Sequence, residues 1–116
     1  MNSAVRSAYE AELISAEAAN LAGEIDRAFD HLARAHILSQ RYTMQHVYVH
    51  WLMLRLGASV SAWREVVGQA SRIVAAALFS RIWVPPGNSG RANVSAMKPM
   101  PMPEDLRAIL EKSGDV

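Results

Sequence analysis

All four histidines of the 116-residue chain, His31, His36, His46 and His50, fall in one short stretch. His46 and His50 are four apart, so on a helix they share one face, about 40° apart around the axis. Two imidazoles at that spacing can grip one metal ion. Neutral imidazole suits zinc, copper, nickel and iron. His36 falls near the end of a preceding helix. The link from Arg41 to Thr43 is short, which makes the two helices antiparallel neighbours and brings His36 toward His46, with His50 one turn further on. Gln40, one turn after His36, is placed to complete or orient such a site. The expected ligands are therefore His36, His46 and His50. His31 is a further candidate, although its spacing of five from His36 keeps the two off one helical face.

The same residues set limits. A metalloprotease helix needs a glutamate beside its first histidine, and Gln45 and Val47 flank His46, which argues against hydrolysis by that route. The chain has no cysteine, so disulfides, thiolate catalysis, zinc ribbons and iron–sulfur clusters are excluded. A histidine on an amphipathic face is also an ordinary core or surface residue, so spacing alone does not make a site.

Three other groups of residues have chemistry of their own. Met97, Met100 and Met102 are soft thioethers of the kind that favour monovalent copper; the favoured reading is that they anchor a loop in irregular core gaps. Gly87-Asn88-Ser89-Gly90, followed by Arg91, could cradle an anion on backbone amides. It lacks the lysine and following helix of a phosphate loop, so a turn is expected there. Tyr42, Tyr48 and Trp83 could stack on bases, but Arg64, Arg72 and Arg81 share no helical stripe and no DNA-binding helix pattern appears, so a nucleic-acid partner is not expected.

The elements that must position the histidines are all helical. The chain fits a single domain, residues 1–116, with 51% apolar and 20% charged residues, a globular balance. No stretch has strand periodicity. Helix one is expected over Ser3–Leu21, with Tyr9, Leu13, Ala16 and Asn20 inward, and helix two over Glu24–Gln40. Gly23 turns the αα-hairpin between them. Ile25, Ala28, Phe29, Leu32, Ala35 and His36 recur at three and four, the period of a buried helical face. Helix three spans Thr43–Leu56, with Val47, Trp51 and Leu54 inward and Gly57 as its stop. Helix four follows a Ser59 or Ser61 cap and runs to Ile82, with Val60, Trp63, Val67, Ala70, Val74, Ala77 and Leu78 inward. Pro85-Pro86 ends it. An irregular segment, residues 84–102, leads to a short docking helix over 103–112. The expected fold is an all-α bundle of four main helices plus a short fifth.

Net charge is only +1, but it is unevenly placed. Residues 1–30 hold six acids against Arg6 and Arg27, and residues 31–98 hold eight cations against Glu65 alone. The two blocks can pair within the fold or between subunits. The N-terminus lacks a secretory apolar run, and Ile73–Phe79, the longest apolar stretch, is too short to span a bilayer, so no membrane partner and a cytoplasmic setting are expected.

Gly23, Ile25, Ala28, Leu32 and Ala35 resemble one hairpin of a tetratricopeptide repeat, without a second copy. A broader resemblance covers residues 9–110. Arg34-Ala35-His36-Ile37-Leu38 with Gln40, the His46 and His50 pair, Gly68-Gln69, Pro86-Gly87-Asn88-Ser89-Gly90 and Pro99-Met100-Pro101-Met102-Pro103 with Asp105-Leu106 are together similar to a family of small bacterial proteins known only as a domain of unknown function. Ser89 stands where that family carries threonine. The resemblance implies a bacterial cytosolic helical protein and brings no reaction. Two functional readings follow: a protein that binds a transition-metal ion, zinc or copper, or an interaction module or homodimer anchored by Trp51, Trp63 and Trp83.

Overall fold

The Asn2 side chain starts the first helix by accepting a hydrogen bond from Val5 N, 3.0 Å, which satisfies one of the donors a helix start leaves over. Helix α1 then runs Ser3–Leu21. Gly23, at φ +74°, reverses the chain, with Glu24 N bonded to Ala19 O in the manner of a left-handed helix cap. Helix α2, Ile25–Ser39, packs back along α1. After a three-residue link come α3, Thr43–Ser59, and α4, Trp63–Phe79, a second hairpin. Helix α5, Glu104–Lys112, begins on two acids and ends on Lys112, matching the helix dipole.

The computed structural model describes residues 1–79, 86–91 and 98–114. Among these there are five helices and no strand. Helix α2 is central, against α1, α3 and α5, whereas α4 packs on α3 alone among the helices. Val5, Tyr9, Phe29, Leu32, Leu38, Val49, Met53, Leu106 and Leu110 form the core. The expected inner face of α2 is buried throughout, except that Ile25 is half-buried at its first turn. On α1, Ala19 takes the inward place expected of Asn20, which is exposed.

Two faces differ from expectation. On α3 the inward residues are His46, Val49, His50, Met53 and Leu56, while Trp51 and Tyr48 are exposed. Apolar residues surround this helix on every side, so periodicity did not single out one stripe. On α4 the difference is larger. Trp63, Val67, Val74 and Leu78 lie outside, and Glu65, Gln69 and Ala76 are the buried residues. The inward side is partly polar because Gln69 bonds His50 of α3 and Glu65 in turn holds Gln69. Gly57 does not stop α3. A Cβ there would meet Glu65 Cβ at 2.9 Å, so it sets the close approach of α3 and α4. The turn falls instead at Ser61, φ +57°. The expected end of α4 near Ile82, Trp83, Met97 and the anionic-cradle arginine's neighbours Ala92–Ala96 lie outside the described residues.

Candidate metal centre

His36 sits in the last turn of α2, and His46 and His50 lie one turn apart near the start of α3. The short link between the helices makes these ends adjacent. All three side chains are buried, 3–6% exposed. Their ring centroids form a nearly equilateral triangle with sides of 4.7, 4.8 and 4.9 Å. His46 Nε2 lies 2.9 Å from His36 Nε2 and 3.2 Å from His50 Nε2. Tetrahedral zinc with ordinary zinc–nitrogen bonds separates its nitrogens by about 3.3 Å. The three imidazoles therefore lie close enough to hold one ion.

The outer nitrogens decide which atoms face inward. His36 Nδ1 donates to the carbonyl of Asn88, 2.8 Å. His50 Nδ1 donates to Gln69 Oε1. The orientation of that amide is fixed, because Gln69 Nε2 donates to Glu65 Oε2 at 3.0 Å and to Gly90 O at 2.7 Å, both acceptors. In their neutral forms His36 and His50 thus keep their protons on Nδ1 and present bare Nε2 lone pairs inward. His46 supplies at most one proton to the three converging nitrogens, and its own Nδ1 is buried without a partner among the described residues. Two of the three histidines therefore have the outer oxygen that metal-binding imidazoles use to fix ring and tautomer.

A proton is a poor substitute for a cation here. Burial, and then the neighbouring His50 and His46, hold His36 well below its usual value. Burial pushes His46 down to about 3, with His50 adding to the effect. Burial likewise pushes His50 down to about 4, against the opposing hydrogen bond to Gln69. All three are neutral near pH 7, the form that ligates.

The segment Pro86–Arg91 covers the cluster. Gly90 has φ +76°, and a Cβ on it would lie 2.6 Å from His36 Cδ2. Asn88 closes the turn by accepting from Gly90 N, 2.9 Å, and donates to Lys98 O, 2.6 Å. Arg91 pairs with Glu65 at 2.6 Å and lies over the Phe29 ring, 3.9 Å from its centroid. Arg72 donates to the carbonyls of Gly90 and Arg91. The expected turn is present, and it is a cover for imidazoles.

His31 is not part of the group. Its Nδ1 pairs with Glu12 at 2.7 Å, and Glu12 also accepts from Arg34 Nε at 2.7 Å. Gln40 is buried one turn past His36. Met102 packs against the core and Met100 is half-buried, its N bonded to Pro86 O, as the anchoring role requires. Sequence reasoning missed Gln69, Glu65, Asn88 and Gly90 as partners of the histidines. One signal was available: Glu65 is the single acid between residues 31 and 98, and Gln69 follows it by one helical turn.

A surrounding of helices, a buried triad of imidazoles and a polar cover define a small all-α protein with a candidate metal centre. Over residues 3–110 the chain matches the family described as protein of unknown function, DUF3703, and belongs to that family. No curated protein and no solved structure matches it.

Proposed function

We propose that this protein binds one transition-metal ion, zinc or copper, through His36, His46 and His50. The carrying observation is the proton count at the centre of the cluster. Three Nε2 atoms converge, and the hydrogen bonds of His36 and His50 leave at most one proton among them in the neutral state. Facing lone pairs repel, and burial opposes an extra proton. A cation relieves the repulsion at all three nitrogens. An all-imidazole set excludes the hard, oxygen-seeking ions and suits zinc or copper. Glu65 and Gln69 then act as positioning residues, holding His50 by its outer nitrogen.

The test uses tag-free protein, its metal content measured by mass spectrometry after titration with zinc and with copper. Wild type is expected to retain about one ion per chain, and a His46→Ala, His50→Ala double variant none. Gln69→Leu should fold and bind about 10–100-fold more weakly, the usual cost of losing an outer-shell partner. Equal uptake by wild type and the double variant overturns the reading.

A further inference from the structure

All three imidazoles of the cluster are buried, so an ion has to pass some part of the surrounding wall to reach them. Helices α2 and α3, which carry the histidines, form two sides of that wall, and α4 closes a third behind Gln69. Moving α2 or α3 opens the hydrophobic core, and moving α4 unzips its hairpin with α3. The Pro86–Arg91 segment is different. Pro86 is exposed, and the buried members are Gly87, Asn88 and Gly90, so the segment brings no large apolar side chain into the core. Polar bonds hold it: Asn88 O to His36, Gly90 O to Gln69 and Arg72, and the Arg91 guanidinium to Glu65. A segment that buries little apolar surface opens at lower free energy than helices seated in a core.

We infer that Pro86–Arg91 is a gate over the three converging nitrogens and that Arg91 is its latch. For its cargo the gate rests on the proposed zinc or copper site; its existence is testable without metal. Arg91 stands at the end of the segment and ties it to two helices at once. Its Nε donates to Glu65 of α4 at 2.6 Å, and its guanidinium carbon lies 3.9 Å from the centroid of the Phe29 ring of α2. Glu65 is buried, which strengthens a charged hydrogen bond made to it. Both contacts belong to the closed position of the segment, and neither touches a histidine. Arg91 therefore favours the closed form to the same extent with and without an ion. A contact that favours both forms equally shifts no binding equilibrium. Arg91 sets how often the nitrogens are reached, whereas Gln69, bonded to His50, sets how tightly they hold. An ion behind such a latch exchanges slowly without being bound more strongly.

The test begins with the intact chain free of metal. Diethyl pyrocarbonate acylates neutral imidazole nitrogens, and His36 and His50 present bare Nε2 atoms behind the gate. Peptide mapping by mass spectrometry gives the acylation rate of each histidine. In wild type, His36 and His50 should react about a hundredfold more slowly than in the urea-unfolded chain. Arg91→Ala should speed both about tenfold, the effect of losing one charge-assisted hydrogen bond, and leave His31 unchanged. Arg91→Gln, which keeps a donor without the charge, should fall between, and it carries the test if circular dichroism shows Arg91→Ala unfolded. Arg107→Ala, which removes an exposed pair on α5, should leave every rate as it was. With zinc, stopped-flow mixing should show entry and release both about tenfold faster in Arg91→Ala, at an unchanged dissociation constant. Equal acylation in Arg91→Ala and wild type overturns the latch. Folded wild type acylated as fast as the unfolded chain overturns the gate. Faster release with unchanged entry makes Arg91 a positioning residue for the ligands and overturns the gate as well. A wild type that takes up no zinc but shows the expected acylation rates overturns the metal site and leaves the gate standing.

Discussion

At the scale of single residues, the histidine cluster couples stability to pH. An unfolded imidazole takes up its proton near pH 6.5. The folded His50 and His46 resist protonation down to about 4 and about 3. Below pH 6.5 the unfolded chain therefore binds more protons than the folded one, and stability falls with falling pH until the folded values are reached. Above pH 6.5 both states are neutral and the effect vanishes. At pH 5 one such imidazole costs about 2 kcal/mol relative to pH 7. Metal-free wild type should lose urea resistance steadily from pH 6.5 to 4.5. His46→Gln, which cannot titrate, should give a shallower decline. Parallel curves for the two proteins would show that His46 does not carry this dependence. The same residues explain what the sequence could reveal. The spacing of His46 and His50 and the short link to α2 were enough to bring three imidazoles together. The partner of His36 was not, because Asn88 lies 52 residues away and no local pattern ties the two.

At the scale of elements, the legible parts were those with one apolar face and clear punctuation. Helix α1 stops before the turn at Gly23, and α2 has one buried stripe, so their ends and inner faces could be read within a residue or two. Helix α4 has an equally clear stripe, but hydrophobicity marks which residues avoid water, not which neighbour covers them. Its polar side was drawn inward by His50. The cover over the cluster depends on backbone geometry that composition does not encode. Gly90 has both a positive φ and contact with the His36 ring, so any side chain must strain the backbone and displace the imidazole. Gly90→Ala should lower stability by about 1–3 kcal/mol and weaken metal binding, whereas Gly23→Ala, with open space around its Cβ, should carry only the backbone term. Thermal melts and metal titration of the two variants check this. Equal metal affinity in Gly90→Ala and wild type would mean that the cover does not set the position of His36.

At the scale of the whole molecule, two polar assemblies hold different parts together. The histidine cluster joins α2, α3, α4 and the Pro86–Arg91 segment. The second assembly is centred on Glu12 of α1, which accepts from His31 and Arg34 of α2. Arg34 reaches on to Asp105 at the start of α5, pulling the Asp105 carboxyl below its usual range. This is where the acidic front of the chain meets its cations. Asp105 is mostly exposed, so Asp105→Asn should cost no more than about 1 kcal/mol. Glu12 is mostly buried and leaves two donors unpaired when it is lost, so Glu12→Ala should cost about 1–3 kcal/mol. Neither variant touches a histidine of the cluster. An ion at 100 times its dissociation constant adds about 2.7 kcal/mol to the folded state whatever else holds it together. Saturating zinc or copper should therefore raise the melting temperature of wild type, Asp105→Asn and Glu12→Ala by similar amounts, each from its own lower starting point. A metal-induced rise that disappears in Glu12→Ala would show that the two assemblies form one cooperative network and that the α1–α2–α5 clasp helps to shape the metal centre.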